Sequence, residues 1–98
     1  MAPRPYLLFE ANYRQLLDDP PNVAILPWGA TEAHNYHLPH GTDVIEAASL
    51  AEESARLAVD RGAKPIVLPA IPFGNNEQQL DQVATISFST ATAGAILD

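Results

Sequence analysis

Three histidines and two acids share one stretch of fifteen residues, GATEAHNYHLPHGTD, from residue 29 to residue 43. They are His34, His37 and His40, with Glu32 and Asp43, and the chain contains no other histidine. Imidazole nitrogens and carboxylate oxygens are the donors that hold Zn²⁺, Mn²⁺ or Fe²⁺ in proteins. Because the chain has no cysteine, any metal site must use such nitrogen and oxygen ligands.

The spacing within this stretch favours three of the five side chains as ligands. Glu32 and His34 are two residues apart, so an extended backbone directs both side chains to one side. Asp43 follows at the point where a helix is predicted to begin. His37 is the candidate catalytic residue, which would orient the cluster, touch a substrate or hydrogen-bond to a ligand. We expect His40 to be a surface residue.

A second interpretation of the cluster stays open at this point. The stretch contains no short motif of known geometry such as HExxH, and three histidines can fall in one loop by chance. Asp43 also has a structural role available as an acid at a helix N-terminus, which is worth about 0.5–2 kcal/mol. Spacing alone therefore allows both a metal site and a structural loop.

Two short apolar runs flank a helical pattern. VAILPWG (23–29) and KPIVLPAIPFG (64–74) are typical of strands buried on both faces of a parallel sheet. Between them, DVIE predicts a helix with a capping box at Asp43, and Gly62 predicts its end. This order predicts a βαβ unit and an α/β fold. The cluster would follow the carboxyl end of the first strand, where such folds bind ligands.

The remaining segments predict shorter elements. We expect a helix over residues 10–19, a polar loop over 74–82, a short strand at ATISFS (84–89) and a last helix capped by Ser89. In the central helix, Glu52 and Arg56 are spaced for a favourable ion pair. Two strands cannot cover both faces of a sheet with so few helices. We therefore expect residues 1–98 to be the N-terminal portion of a single larger domain.

Composition narrows the class of protein. Hydrophobic residues make up 47% of the 98 residues, which suits a globular protein. Twelve acidic and five basic residues give a net charge of −7, which argues against nucleic acid or an anionic membrane as partner. The N-terminal residues lack the apolar segment of a signal peptide or membrane span. We expect a cytoplasmic protein.

The segment LPWGATEAHNYHLPHGTD resembles the opening motif of the creatininase (creatinine amidohydrolase) family, LP-x-G-(S/A)-T-E-Q-H-G-P-H-L-P-L-x-T-D. Further along, VLPAIPFGNN and ATISFST are similar to the family's later segments, so the resemblance runs from about Val23 to Thr90. The positions that fall on the opening motif are Gly29, Thr31, Glu32, His34, His37, Leu38, Pro39, Thr42 and Asp43.

The resemblance implies a three-layer α/β/α sandwich with a largely parallel sheet, of which this chain supplies the first βαβ part. It implies a homo-oligomer, often a hexamer, and two divalent metals per site, with Zn²⁺ expected first and Mn²⁺ or Fe²⁺ as alternatives. Glu32 would bind one metal, His34 the other, and Asp43 would bridge both. The remaining ligands would come from segments beyond residue 98, so we expect this chain alone to be inactive.

The chain also departs from the family pattern. Asn35 and Tyr36 replace a Gly-Pro pair, and residues 82–84 read Gln-Val-Ala where the family has Phe-Pro-Gly. Asn76, Gln78 and Gln79 stand where Ser, Glu and His are expected. We therefore predict a metal-dependent hydrolase that cleaves the C–N bond of a small-molecule amide other than creatinine, through a metal-activated water. The alternative is a non-catalytic metal-binding or interaction module of the same fold.

Overall fold

The computed structural model describes residues 4–98. Contacts divide the chain into two compact units. Unit 1 contains the residues up to Pro27 and Ala48–Pro69, and unit 2 contains Trp28–Ala47 and Ala70–Asp98. The elements, in chain order, are helix α1 (Tyr13–Asp18), strand β1 (Val23–Ile25), helix α2 (Thr42–Asp60), strand β2 (Pro65–Val67), a 3₁₀ turn (Glu77–Gln79) and helix α3 (Thr90–Leu97).

The two strands of unit 1 pair in parallel, with Val23 opposite Pro65 and Ile25 opposite Val67. A parallel pair needs a long crossover between its strands, and α2 lies in that interval of the sequence. The N-terminal segment extends the pairing on the other side of β2, because Val67 N–H donates to the Tyr6 carbonyl at 2.7 Å. The predicted strand–helix–strand order and the α/β class are thus confirmed.

A small core lies beneath these strands. It consists of Leu7, Ala51, Ala55 and Val67, all buried. Ala51 and Ala55 are one helical turn apart on α2, so small side chains on one face of the helix allow it to pack closely. Helix α2 ends where Gly62 predicted it would end. Gly62 has a φ of 89°, and Ala63 N–H donates to the Ala58 carbonyl at 3.0 Å, as in a Schellman cap.

Several sequence predictions in unit 1 were wrong. Both strands are three residues long, shorter than the apolar runs. Strand β2 is buried along its whole length, but β1 is not, and Val23 is 50% exposed. Within residues 4–98, β1 pairs only with β2, so its second edge has no neighbour. Arg56 pairs with Glu53 and Asp60 instead of Glu52.

Unit 2 is held together by hydrogen bonds between its two sequence segments. Gly29 N–H donates to the Ile71 carbonyl at 2.8 Å, and the Trp28 indole N–H donates to the Phe73 carbonyl at 2.9 Å. The predicted strand at residues 84–89 is a single bridge between Gly74 and Ser87. Helix α3 begins as predicted, since the Ser89 hydroxyl accepts a hydrogen bond from the Thr92 N–H.

None of the helices formed by residues 4–98 combines the length and the apolar character needed to cross a membrane.

Candidate metal centre

Two of the predicted ligands lie on the site loop, which we define as residues 30–41 of unit 2. The Thr31 hydroxyl donates to the Pro72 carbonyl at 2.6 Å, and the Ile86 N–H donates to the Thr31 carbonyl at 3.0 Å. Glu32 follows directly, and its own N–H donates to the His40 carbonyl at 3.4 Å. Hydrogen bonds of Thr31 therefore join the loop to the rest of unit 2 immediately before Glu32. The bond from Glu32 to His40 joins the two ends of the loop.

His34 stands at the base of a tight turn. It forms an antiparallel bridge with Leu38, and the three residues between them make the turn. Asn35 opens the turn with a φ of 61°, a left-handed conformation that asparagine adopts more readily than most residues. Tyr36 and His37 are exposed. His37 is thus on the surface of the turn, and its role in catalysis stays a prediction.

Asp43 is carried by the first turn of α2. The helix begins at Thr42, two residues earlier than a capping box at Asp43 requires, so Asp43 lies inside the helix and does not cap it. The Thr42 hydroxyl donates to the Pro39 carbonyl at 2.6 Å, which ties the helix start to the end of the site loop. A carboxylate in the first helical turn is favoured by the helix dipole.

The structure brings Glu32, His34 and Asp43 together. One ligand atom from each lies within 4.8 Å of the other two, and all three residues are half-buried. His34 Nδ1 and Asp43 Oδ1 are 3.9 Å apart, too far for a direct hydrogen bond. The three side chains therefore lie close together, and His34 and Asp43 are not hydrogen-bonded to each other. His37 and His40 are not part of this group.

The spacing of these donors fits a divalent cation. Nitrogen and oxygen ligands bind Zn²⁺ at about 2.0–2.2 Å, so two donors on one ion lie at most about 4.4 Å apart. The 3.9 Å between His34 and Asp43 falls within this limit. Donors up to 4.8 Å apart also suit two ions, which lie about 3.5–4 Å apart when a carboxylate bridges them. Both arrangements leave coordination positions for other ligands.

The pKa of Glu32 reflects its position in the cluster. Burial raises the pKa of its carboxyl group above the ordinary value of 4.5, and the nearby Asp43 carboxyl raises it further. The neighbouring His34 acts in the opposite direction but does not cancel these effects. Two carboxyl groups held close together repel each other when both are ionised. A cation between them would relieve that repulsion.

Two polar residues of unit 2 have contacts that the sequence did not indicate. His40 was expected at the surface, but it is half-buried, and its Nε2 lies 2.9 Å from the Val83 carbonyl oxygen. Asn76 was noted only as a departure from a family pattern, but it is buried. The Val83 partner of His40 is 43 residues away, and Asn76 donates to the Ile86 carbonyl, ten residues away. No local pattern in the sequence indicates such pairings.

Comparison with known proteins identifies the family. The family model described as Creatininase: Creatinine amidohydrolase matches residues 10–98. The chain belongs to the creatininase family. The match includes the site loop, the start of α2 and the segment from Gly74 to Ser89, so the three clustered residues all lie within it.

A solved structure agrees with this assignment. The chain is similar to a crystal structure of a Bacteroides fragilis protein that is described, provisionally, as a creatinine amidohydrolase, with 41% sequence identity and a TM-score of 0.84. The similarity covers 93% of this chain and 37% of that one, so the chain spans well under half of its relative. A search of curated proteins found no match. The α/β fold of the creatininase family is thereby confirmed for this chain.

Proposed function

We propose that the complete protein containing this chain is a metal-dependent amidohydrolase, and that Glu32, His34 and Asp43 supply part of its metal site. The observation that carries the proposal is the convergence of these three donors within 4.8 Å in a chain of the creatininase family. A divalent cation held there supplies a bound water of lowered pKa and polarises an amide carbonyl. Zn²⁺ is the first candidate, with Mn²⁺ and Fe²⁺ as alternatives.

Each side chain has a distinct part in this proposal. Asp43, held by the first turn of α2, would bridge two cations, while Glu32 and His34 would each hold one. The antiparallel β-bridge between His34 and Leu38 holds the backbone of His34 in place. His37 is exposed on the turn that follows, so it is available to contact a substrate that enters from solvent or to hydrogen-bond to a ligand residue.

The substrate we propose is an amide other than creatinine. The segment from Asn75 to Ala84 departs most from the family pattern, with Asn76, Gln78 and Gln79 in place of Ser, Glu and His. Loss of the Glu and His side chains removes two groups able to hold or move a proton at pH 7. The same departure favours the second candidate, a non-catalytic metal-binding module of the same fold.

The test compares Asp43→Ala with His37→Ala in the complete protein. Metal content is measured by elemental analysis, and hydrolysis is followed over a panel of cyclic amides and formamides. We expect Asp43→Ala to lose both metal and hydrolysis, because it removes the bridging carboxylate. We expect His37→Ala to keep its metal and lose about 10–100-fold in activity, the usual cost of removing a group that supports a metal ligand.

The outcomes separate the two candidate functions. Metal binding without hydrolysis of any amide in the panel would favour the non-catalytic module. If Asp43→Ala retains full metal content while His37→Ala loses it, the ligand set is wrong and the histidine pair binds the metal. If neither substitution changes metal content or activity, the cluster has only a structural role and the proposed function fails.

A further inference from the structure

Asn76 is an unusual residue in its surroundings. Its exposed fraction is 5%, and it is the only polar or charged residue that is buried among residues 4–98. Burying an amide costs free energy unless the amide forms hydrogen bonds. A buried asparagine in a loop that has one 3₁₀ turn and no strand therefore needs a reason in the contacts that it makes.

Those contacts join Asn76 to one short segment. The Nδ2 of Asn76 donates to the Ile86 carbonyl at 2.9 Å, and its backbone N–H donates to the Ser87 hydroxyl at 2.8 Å. Two bonds to consecutive residues fix both the position and the direction of that segment. The Phe88 N–H also donates to the Gly74 carbonyl at 3.1 Å, so the pairing continues on the far side.

The segment held by Asn76 in turn holds the site loop. The Ile86 N–H donates to the Thr31 carbonyl at 3.0 Å. That carbonyl belongs to the same planar peptide unit as the Glu32 N–H, which donates to the His40 carbonyl. Both polar groups of this peptide unit are thus engaged, and its plane sets the direction in which the Glu32 side chain leaves the backbone.

We propose that Asn76 is the positioning residue of the metal centre: through Ile86 and Thr31 it sets the direction of the Glu32 carboxylate. The inference rests on the proposed function, because it takes Glu32 as a ligand. Asn76 does not itself bind the cation in this account. Its amide acts as a donor to a carbonyl, a task that an aspartate of the same size cannot perform when ionised.

The chain provides a matched control next to Asn76. Asn75 is also an asparagine whose Nδ2 makes one hydrogen bond, to the Thr90 hydroxyl at 2.8 Å. That bond leads to the start of α3 and not to the site loop. Asn75→Ala removes this bond and the one that the Asn75 Oδ1 accepts from the Glu77 N–H at 3.3 Å, whereas Asn76→Ala removes the single Nδ2 bond to the Ile86 carbonyl. Only the second variant loosens the peptide before Glu32.

The experiment measures Co²⁺ binding to the complete protein, with a competing chelator and the visible absorption spectrum of the bound ion. We expect Asn76→Ala to weaken Co²⁺ affinity about 10–100-fold, the range observed for groups that orient metal ligands, and to alter the spectrum because Glu32 is displaced. Asn75→Ala should match the parent protein in both. Asn76→Asp, which keeps the volume of the side chain, should behave like Asn76→Ala and carries the test if the alanine variant does not fold.

The inference and the proposed function fail in different ways. If the parent protein binds no Co²⁺, Zn²⁺ or Mn²⁺, the proposed function is wrong. If the parent binds but Asn76→Ala and Asn76→Asp keep its affinity and spectrum, the positioning role is wrong and the metal site stands. A raised KM with unchanged metal affinity would also overturn the inference, because it would make Asn76 a substrate contact.

Discussion

Glu32 is held in a state that disfavours its own charge. Its pKa is raised by burial and by the Asp43 carboxyl, so the ionised form is less favourable in the folded protein than in the unfolded chain. Above the folded pKa this difference lowers the free energy of unfolding. As pH falls toward the ordinary value of 4.5, the folded state takes up its proton first and the loss is recovered.

Glu32→Gln should therefore raise the Tm of the metal-free protein at pH 7 while removing a proposed metal ligand. The Tm difference from the parent should shrink as pH falls toward 4.5, because Glu32 then becomes neutral as well. Added Zn²⁺ should raise the Tm of the parent, since a ligand bound only to the folded state stabilises it, and should raise that of Glu32→Gln much less. Thermal melts with and without chelator measure both effects. A lower metal-free Tm for Glu32→Gln would contradict this account of the cluster.

Two residues have positive φ angles and stand where the family pattern has glycine. Asn35 has a φ of 61° and Ala84 a φ of 63°. Asparagine tolerates this conformation, whereas for alanine it costs about 1–2 kcal/mol because Cβ approaches the following carbonyl. The replacement of glycine by Asn35 therefore costs little, whereas its replacement by Ala84 leaves the backbone strained.

Ala84→Gly should increase the free energy of unfolding by up to about 1 kcal/mol, because the relief of strain exceeds the entropy that glycine adds to the unfolded chain. The control is Ala91→Gly, at an exposed position in α3, which should lose about 0.5–1 kcal/mol. Denaturant unfolding of the complete protein measures both. Equal losses in the two variants would show that residue 84 is not strained.

At the scale of single residues, the sequence predicted the grouping of Glu32, His34 and Asp43, since all three lie within twelve positions of one another and the loop between them is short. It did not predict the hydrogen bonds of His40 and Asn76. The His40 contact to Val83 spans 43 residues, and hydrogen bonds to a carbonyl place no requirement on the identity of the partner residue. The residue types at positions 83 and 86 therefore do not indicate these bonds.

Among the elements, those defined by local chemistry were predicted best. The Schellman cap at Gly62 and the Ser89 cap depend on a few neighbouring residues, and both are present. Strand lengths and the ATISFS strand were not predicted correctly, because pairing depends on partners elsewhere in the chain. The capping box at Asp43 is absent because the helix begins two residues earlier, at Thr42, whose hydroxyl donates to the nearby Pro39 carbonyl.

The start of α2 lies very close to Gly29. A Cβ atom added to Gly29 would come within 2.7 Å of the Val44 Cα and Cγ2 atoms, a distance that real side chains do not adopt. Val44 follows Asp43 in the first helical turn. Glycine at this position therefore allows the backbone before the site loop to contact the helix that carries Asp43.

Gly29→Ala should lower the free energy of unfolding by about 1–3 kcal/mol, as overpacking does, and should weaken metal binding because it displaces the turn that carries Asp43. Gly94→Ala in α3 is the control. A Cβ there meets nothing within 4 Å, so this variant should gain about 0.5–1 kcal/mol. Denaturant unfolding and Zn²⁺ titration of the two variants provide the test. If Gly29→Ala is destabilised but binds Zn²⁺ with unchanged affinity, the expectation of weaker metal binding is wrong, and the glycine matters for packing alone.

At the scale of the whole molecule, little apolar surface is buried within residues 4–98. The buried hydrophobic residues of this part of the chain are Leu7, Ala51, Ala55, Ile66 and Val67. Several large hydrophobic side chains of unit 1 remain about half exposed or more, among them Val23 at 50%, Leu50 at 62% and Leu57 at 48%. Leu50 and Leu57 are seven residues apart on α2, so they lie on the same face of the helix. Exposed apolar stripes of this kind indicate a surface that another part of the protein or another copy covers.

Residues 1–98 expressed alone should therefore be unstable or strongly associated. A core of this size does not offset the conformational entropy of ordering the chain, since domains near this length remain stable only by a few kcal/mol. We expect broad amide NMR signals, no cooperative melt and oligomers in size-exclusion chromatography. Leu50→Glu with Leu57→Glu should reduce the association, because it places charges on the apolar face of α2. Ser49→Glu, at an exposed position turned about 100° around the helix from Leu50, should reduce it less. A monomeric chain with sharp, dispersed amide signals and a cooperative melt would contradict the prediction, and would show that the four core residues suffice to hold unit 1 together.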